Sequence, residues 1–293
     1  MSVDPVELFE RERPRLVGLA YRLLGSVSDA EDVVQDAWLR WERADHGAIE
    51  RPGAWLTTVV GRIGLDRLRA RQRDRAEYVG PWLPEPLVRE PDPAELAELS
   101  DSLTTAFLLL LERLSPVERL VLLLADVFEE PFSSVAEITG KSEAATRQCA
   151  VRARRKLTEA RDASPQRTAG AEQLDITSRF LSAVMAGDRD AVVALLHPDA
   201  VLLSDGGPEH RAARRPVVGA QRVERFMVNV AKRLGRLPTH QAMINGAPGV
   251  VVRVGQAPLL ALAVEVADGL VRRITVVLNP DKLGAVDHPV DLV

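Results

Sequence analysis

Residues 132–156 read FSSVAEITGKSEAATRQCAVRARRK, and this stretch decides how the first half of the chain folds. A short apolar-periodic segment, 134–139, brings Ala136 to where a second helix must approach closely. It ends at Gly140, where a turn asks for a left-handed backbone. Ser142 follows as the N-cap of a second helix running to about residue 159. Ile138, Thr146 and Cys149 fall at the inward spacing of this pair. Arg147, Gln148, Arg152, Arg154, Arg155 and Lys156 fall mostly outward. The pattern is a helix-turn-helix with an arginine-laden second helix. Arginine bonds both acceptors of guanine, glutamine pairs with adenine, and a cationic tail holds phosphates. Cys149 reads as a small apolar filler.

Working outward, residues 6–24, 28–42 and 54–75 have apolar residues at helical spacing. Ser28 with Glu31 three residues on reads as a capping box. Residues 45–53 form a loop. Five prolines within 78–93 rule out a continuous helix there and indicate an extended linker. Helix resumes over 94–114, and Ser115-Pro116 starts another, with Ser115 as N-cap. The first 160 residues show no convincing strand and read as two all-α bundles split by the proline segment.

The charge pattern supports a polyanion-binding reading. Of 293 residues, 46% are hydrophobic and 27% charged, with a net charge of −4. Residues 1–162 carry 23 Lys and Arg against 29 Asp and Glu; residues 163–293 carry 15 against 13. Within the acidic first part lie two basic blocks. Residues 62–75 hold six arginines against Asp66 and Asp74, and residues 141–161 hold seven basic residues against Glu143 and Glu159. Solvated helix faces usually mix both signs, so two separated basic blocks point to two footprints on a polyanion. One cysteine forbids an intrachain disulfide and suits a reducing cytoplasm. No secretory leader pattern opens the sequence, and no apolar run approaches the ~18 residues of a membrane span.

After a second linker near 164–173 the texture changes. Residues 174–186, 189–196 and 223–234 read as helices. Residues 201–204, 242–245, 250–254, 259–266 and 271–278 read as strands, with Asp268-Gly269 a hairpin turn. The expectation is an α+β domain with helices on a curved antiparallel sheet. The candidates for acid–base work in this domain are His197, Asp199, Asp205, His240 and Glu265, yet no His-Asp pair or metal spacing stands out. His197-Pro198-Asp199 reads as a helix-to-strand turn.

Several strings carry a family resemblance. Leu114-Ser115-Pro116-Val117-Glu118-Arg119, then Ala125-Asp126-Val127-Phe128, then the helix-turn-helix, resemble domain 4 of the extracytoplasmic-function (ECF) sigma factors. Asp29-Ala30-Glu31-Asp32-Val33-Val34-Gln35-Asp36-Ala37-Trp38 resembles the domain 2 helix that docks on the polymerase β′ clamp. Trp55-Leu56, Asp66 and the arginine run resemble the helix that reads and opens the −10 element. Trp82-Leu83-Pro84-Glu85-Pro86 and Asn279-Pro280-Asp281-Lys282-Leu283 are similar to hallmarks of SigJ-like ECF sigma factors with a fused SnoaL-like carboxy-terminal domain. Asp205-Gly206-Gly207-Pro208-Glu209 matches a third signature in part.

The resemblance implies a multidomain protein: two all-α sigma domains, then an α+β SnoaL-like (cystatin-like) barrel. Its domains would span residues 1–76, 94–162 and 174–293, joined by linkers at 77–93 and 163–173. It implies −35 contacts from Ser142, Ala145, Arg147, Gln148, Arg152, Arg154 and Lys156. Contacts to the −10 element would come from Trp55, Arg62, Asp66, Arg67 and Arg69, with Arg62 standing where the family usually has Asn. Core polymerase, through its β′ clamp and β flap, would meet Asp29, Asp32, Gln35, Asp36 and Trp38. The acids share a helix face and suit a basic partner. A regulatory contact would join Trp82, Leu83, Pro84, Glu85 and Pro86 to Asp205, Asn279, Pro280, Asp281, Lys282 and Leu283. The implied protein is a cytoplasmic, non-enzymatic sigma factor without cofactor, binding promoter DNA, with room for a small ligand in its last domain. A stand-alone helix-turn-helix regulator and a SnoaL-like cyclase or isomerase with a DNA-binding appendage are the other readings.

Overall fold

The computed structural model describes residues 4–74, 78, 80–90, 101–161, 170–208, 210, 212–235 and 237–287. The chain divides into two compact units. The first holds residues 1–77, 106–163 and 290–293; the second holds 78–105 and 164–289.

The first unit is helical. Helix α1 (Pro5–Leu24) is capped by Asp4, whose carboxylate accepts from Val6 N–H. Helix α2 spans Val27–Glu42 and α3 Pro52–Asp74. The cap of α2 is Ser26, which accepts from Asp29 N–H; Ser28, which the sequence favours, lies inside the helix. Val27 is buried, so packing draws the helix start forward. Leu16, Leu19, Leu23, Val33, Val34, Ala37, Leu56, Val60 and Leu68 are buried from these three helices.

The expected helix over 94–114 is shorter. Residues 91–100 lie outside the described residues; after them come a 3-10 turn, Asp101–Leu103, and α4 (Thr105–Leu111). Helix α5 (Pro116–Leu122) has the full capping box, Ser115 and Glu118 bonding each other's backbone N–H. A π-helical turn, Leu123–Val127, leads to α6 (Phe132–Thr139) and α7 (Glu143–Arg161).

These helices do not stand apart from the first three. Arg119 of α5 is buried and donates to Leu23 O of α1 at 2.9 Å and to Leu111 O at 3.1 Å. Burial, and then the like charge of Arg71, lowers its pKa to about 9, leaving it a cation at neutral pH. A side chain at Gly61 on α3 would meet Ile138 of α6 at 3.2 Å, so the two helices approach closely there.

The second unit is a seven-stranded sheet in the order β1-β4-β5-β6-β7-β2-β3. The proline-rich segment supplies β1, Val88–Arg89, a strand the sequence does not announce. It pairs Val88 with Ile244 and Arg89 with Met243 of β4 (Thr239–Ile244). Strands β2 (Leu196–Asp205), β3 (Val217–Val218), β5 (Ala247–Val254), β6 (Ala257–Ala267) and β7 (Leu270–Val277) complete it. The sheet is mixed, because β2 runs parallel to β7 while the other pairs are antiparallel. Chain between β2 and β7 includes a helix and a meander, long enough for a parallel return. Asp268 and Gly269 both take positive φ, as a two-residue hairpin requires.

His197, Pro198 and Asp199 lie within β2, not in a turn before it; the pairing with β7 shifts register between Leu196 and Val201. Helices α8 (Ala171–Ala186), α9 (Arg189–Leu195) and α10 (Ala220–Leu234) share one core with the sheet. It is built around Phe180, Val192, Leu202, Val223, Leu262 and Ile274. Residues 162–169 of the second linker lie outside the described residues. Gln173, placed in that linker by composition, is a buried residue of α8 bonded to Val264 O at 3.3 Å.

Candidate nucleic-acid interface and linker clamp

Gly140, at φ +66°, ends α6, and its N–H donates to Ala136 O. Ser142 Oγ accepts from Ala145 N–H at 3.2 Å and opens α7. Ile138, Thr146, Cys149, Ala150 and Ala153 are buried, which turns Arg147, Gln148, Arg152, Arg154 and Arg155 outward.

The exposed cations differ in what they touch. Arg147 pairs with Glu143 and sits 4.9 Å over the Phe132 ring. Arg154 makes a two-pronged contact with Asp126 of the π-helical turn, at 2.8 and 2.5 Å, and that hydrogen bonding raises its pKa. Lys156 reaches both Glu118 oxygens at 2.8 Å. Burial alone would raise the Glu118 carboxyl; the donors Lys156 and Ser115 outweigh it and hold the pKa below the ordinary value. Gln148 and Arg152 are exposed and carry no side-chain hydrogen bond or ion pair among the described residues.

Around α3, the Trp55 ring lies 5.5 Å from that of Trp41, tilted 54° to it, and the Trp41 indole donates to Pro5 O. Arg62 donates to Glu137 O of α6 at 3.0 Å, so a residue expected at the −10 element is held by the helix-turn-helix. Arg69 pairs with Asp66 at 3.3 Å. Arg67 pairs with Asp36 at 2.9 Å and Asp32 at 3.3 Å, and Arg71 lies 3.3 Å from Asp29. Acids expected to face polymerase are thus already satisfied in part by arginines expected to face DNA. Gln35 is exposed, and half-buried Trp38 meets the Phe9 ring edge-on at 4.8 Å.

The second set of expected residues meets within the second unit. Asp205, 1% exposed, ends β2. Its Oδ2 accepts from Leu83 N–H at 2.8 Å and from Lys282 Nζ at 2.6 Å. Lys282, 6% exposed, also donates to Leu83 O at 2.6 Å and lies 4.2 Å over the Trp82 ring. Asn279 caps the 3-10 turn Pro280–Lys282 that presents this lysine. Leu83, Pro84, Glu85, Pro86 and Leu283 are buried, whereas Pro280 and Asp281 are exposed. Of the two charged residues in that string, Lys282 makes the contact and Asp281 faces solvent. Gly206, Gly207 and Pro208 follow Asp205, whose Oδ1 accepts from Gly207 N–H at 3.1 Å; Glu209 lies outside the described residues.

Two clamp residues escape the sequence reading. Tyr78 donates its hydroxyl to Asp205 Oδ1 at 2.5 Å and accepts from Asn279. Buried Asn245 accepts from Leu87 N–H through its side chain and donates to Leu87 O and Leu103 O. Tyr78 had a signal, an aromatic residue in a proline-rich segment. Asn245 carries no such signal, standing at the end of a stretch that reads simply as a strand. The catalytic candidates do not converge: Glu265 pairs with Arg273 at 2.9 Å, His197 sits against Arg272, and Asp199 and His240 are exposed. The described residues hold no cluster of three metal-ligating side chains, and none of their helices is long and apolar enough to cross a membrane.

Comparison with known proteins gives matches along most of the chain. Residues 8–74 match Sigma-70 region 2 and residues 104–157 match Sigma-70, region 4. The ECF RNA polymerase sigma factor SigJ of Mycobacterium tuberculosis is 41% identical over 294 residues, covering 94% of this chain and 92% of the relative. The probable ECF RNA polymerase sigma factor SigI of the same species is 33% identical, covering 96% and 95%. The crystal structure of Mycobacterium tuberculosis SigJ superposes with a TM-score of 0.75 at 39% identity, covering 94% of this chain and 97% of that one. Since the likeness runs through the helical unit and the sheet unit alike, the chain belongs to the extracytoplasmic-function family of RNA polymerase sigma factors.

Proposed function

We propose that this sigma factor reads the −35 element through α7 and the −10 element through α3, and that its carboxy-terminal domain governs both in cis. In this reading Arg147 and Gln148 meet base edges, and Arg152 holds phosphate. Arg62 and Arg69 track the −10 strand. Gln35 and the exposed edges of Asp32 and Asp36 meet the polymerase β′ clamp, with the helix-turn-helix domain at the β flap. The work is done in the cytoplasm, where RNA polymerase acts, and the sheet domain is regulatory, not catalytic.

One observation carries the cis-regulatory part. The segment joining α3 to α4 is fastened to the carboxy-terminal domain by a buried ion pair, Asp205 with Lys282, that grips both backbone groups of Leu83. The packing of α6 on α3 gives that fastening a consequence. By their names the two promoter elements lie roughly 25 base pairs apart, about 85 Å of duplex at ~3.4 Å per pair. Helices bonded through Arg62 and Glu137 cannot reach both, so the helical groups must separate, and the joining segment limits how far. Tethering makes a weak clamp sufficient. At an effective concentration on the order of 1 mM, a contact of ~100 μM intrinsic Kd is about 90% closed. A signal worth a few kcal/mol then opens it.

In vitro transcription from a cognate promoter, at equal polymerase occupancy, compares the full chain, Lys282→Met and a chain ending at residue 278. Output should change in both variants. Identical output from all three would leave the domain a passenger. Footprinting with and without core polymerase addresses the stand-alone regulator: a sharp footprint from the chain alone, unchanged by polymerase, would favour that reading.

A further inference from the structure

The sheet unit also holds a cavity of about 340 Å³, open on one side, that the clamp does not use. This is the lower end of the ~300–1,000 Å³ typical of small-molecule pockets. Its walls come from α8, α10 and strands β2 and β4–β7. Buried Met227, Leu260, Leu262 and Val276 line the interior. Ser178 and Ser182 of α8 and Thr239 and Gln241 of β4 line it from exposed positions.

The chemistry of the lining is one-sided. Among the described residues it contains no Asp, Glu, His, Lys, Arg, Cys or Tyr. Thr239 and Gln241 alternate with His240 along β4, which places His240 on the other face. None of the described lining side chains is of the kind that usually gives or takes a proton in general acid–base catalysis. A charged guest would lose its hydration without gaining a counter-ion. A neutral, mainly apolar guest suits these walls. Ser204 is the one polar lining side chain that is buried among the described residues. Its Oγ accepts from Ala213 N–H at 2.7 Å, which leaves its own O–H to donate to an acceptor in the cavity.

The cavity also abuts the clamp through the backbone. Ser204 faces the cavity, and the next residue of β2 is Asp205. Leu278 lines the cavity too; its N–H donates to Asp205 O at 2.7 Å, and Asn279 beside it donates to the same oxygen at 3.1 Å. A guest that shifts Ser204 or Leu278 shifts the backbone that aims the Asp205 carboxylate.

We propose that this cavity is a binding site for a neutral, mainly apolar small molecule carrying a hydrogen-bond acceptor such as a ketone, and that the Asp205 clamp reads its occupancy. The second half rests on the cis-regulatory reading above.

The test titrates the full chain with prodan, a neutral naphthyl ketone whose emission shifts to the blue in apolar surroundings. Its carboxylate counterpart, 6-dimethylamino-2-naphthoate, is the charged control. Prodan should bind saturably, one per chain, and the carboxylate at least about ten-fold more weakly. Ser182→Phe and Gln241→Phe, both at exposed positions and checked for folding by circular dichroism, should each abolish binding. Because coupling is reciprocal, Lys282→Met should change prodan affinity by about five-fold or more. Absence of saturable binding, equal affinity for the carboxylate, or indifference to both mouth variants overturns the site. Unchanged affinity in Lys282→Met overturns its link to the clamp. None of these results depends on transcription, so the cis-regulatory reading stands or falls separately.

Discussion

The outer face of α7 and the Asp205 clamp are both built from acid–base pairs, and they behave oppositely because of where the pairs sit. Arg147–Glu143, Arg155–Glu159 and Arg154–Asp126 lie on the surface, with side chains largely open to water. Exposed pairs contribute ~0–1 kcal/mol and exchange partners easily, so a phosphate or a guanine can replace an internal carboxylate at little cost. In the clamp, Lys282 and Asp205 are 8% and 0% exposed at their side chains. Neither can lose the other without leaving a buried charge unpaired. The first arrangement suits a surface that must trade contacts with DNA. The second suits a contact with two discrete states.

The largest expected effect breaks the buried side of this contrast. Lys282→Met should destabilise docking of the joining segment by about 3–5 kcal/mol. Native-state hydrogen exchange at the Leu83 amide checks this. Asp205→Leu with Lys282→Met should recover much of the loss, since replacing both partners of a buried pair by apolar groups is often close to neutral. A double variant as unstable as the single would mean that Asp205's other donors, Tyr78 and Leu83, matter more than the lysine.

On the exposed face, Arg147→Ala or Gln148→Ala should cost about 1–3 kcal/mol at a single −35 position. Binding of the polymerase-bound chain to promoter variants measures it, and uniform losses across sequences would mean the base-reading face is misplaced. Arg152→Ala should weaken all sequences alike and reduce the salt slope by about 1.

Glu118 lies between the extremes. Its side chain is 9% exposed while that of Lys156 is 42% exposed. Its folded-state pKa is lowered, so its contribution is full above the ordinary glutamate value and is lost as pH falls through the lowered one. Glu118→Gln should cost about 1 kcal/mol at neutral pH and flatten the acid limb of the melting profile. Lys156→Ala should show mainly as this stability loss, because its ammonium is engaged on Glu118. Smallest of all, Arg155→Ala should change stability by no more than about 0.5 kcal/mol.

What the sequence disclosed was mostly local. Gly140, Ser142, Pro116 and Asp268-Gly269 act within a few residues of themselves, and each takes up the geometry its chemistry requires. What it hid was partnership over distance. Ser26 and Ser28 are both competent caps, and burial of Val27 decides between them. The acids of α2 look like a stripe awaiting a basic partner, and nothing local reveals that Arg67 and Arg71 already supply one. The closeness of α3 to α6 rests on Gly61, which has no signature of its own. In the candidate site, the Trp82 and Asn279 strings are legible by resemblance. Asn245, which serves Leu87 and Leu103 from far along the chain, is not.

The two-residue strand β1 carries one more consequence. While Val88 and Arg89 lie along β4, Met243 and Ile244 have strand neighbours on both sides. Once the joining segment leaves, the end of β4 near Met243 and Ile244 becomes a bare margin of the sheet, its amides and carbonyls unpaired. Such margins recruit other strands, including those of identical molecules. In the open state proposed above, the molecule should be the more prone to self-association, and the segment that lies on β4 in the closed state would double as its protective cover.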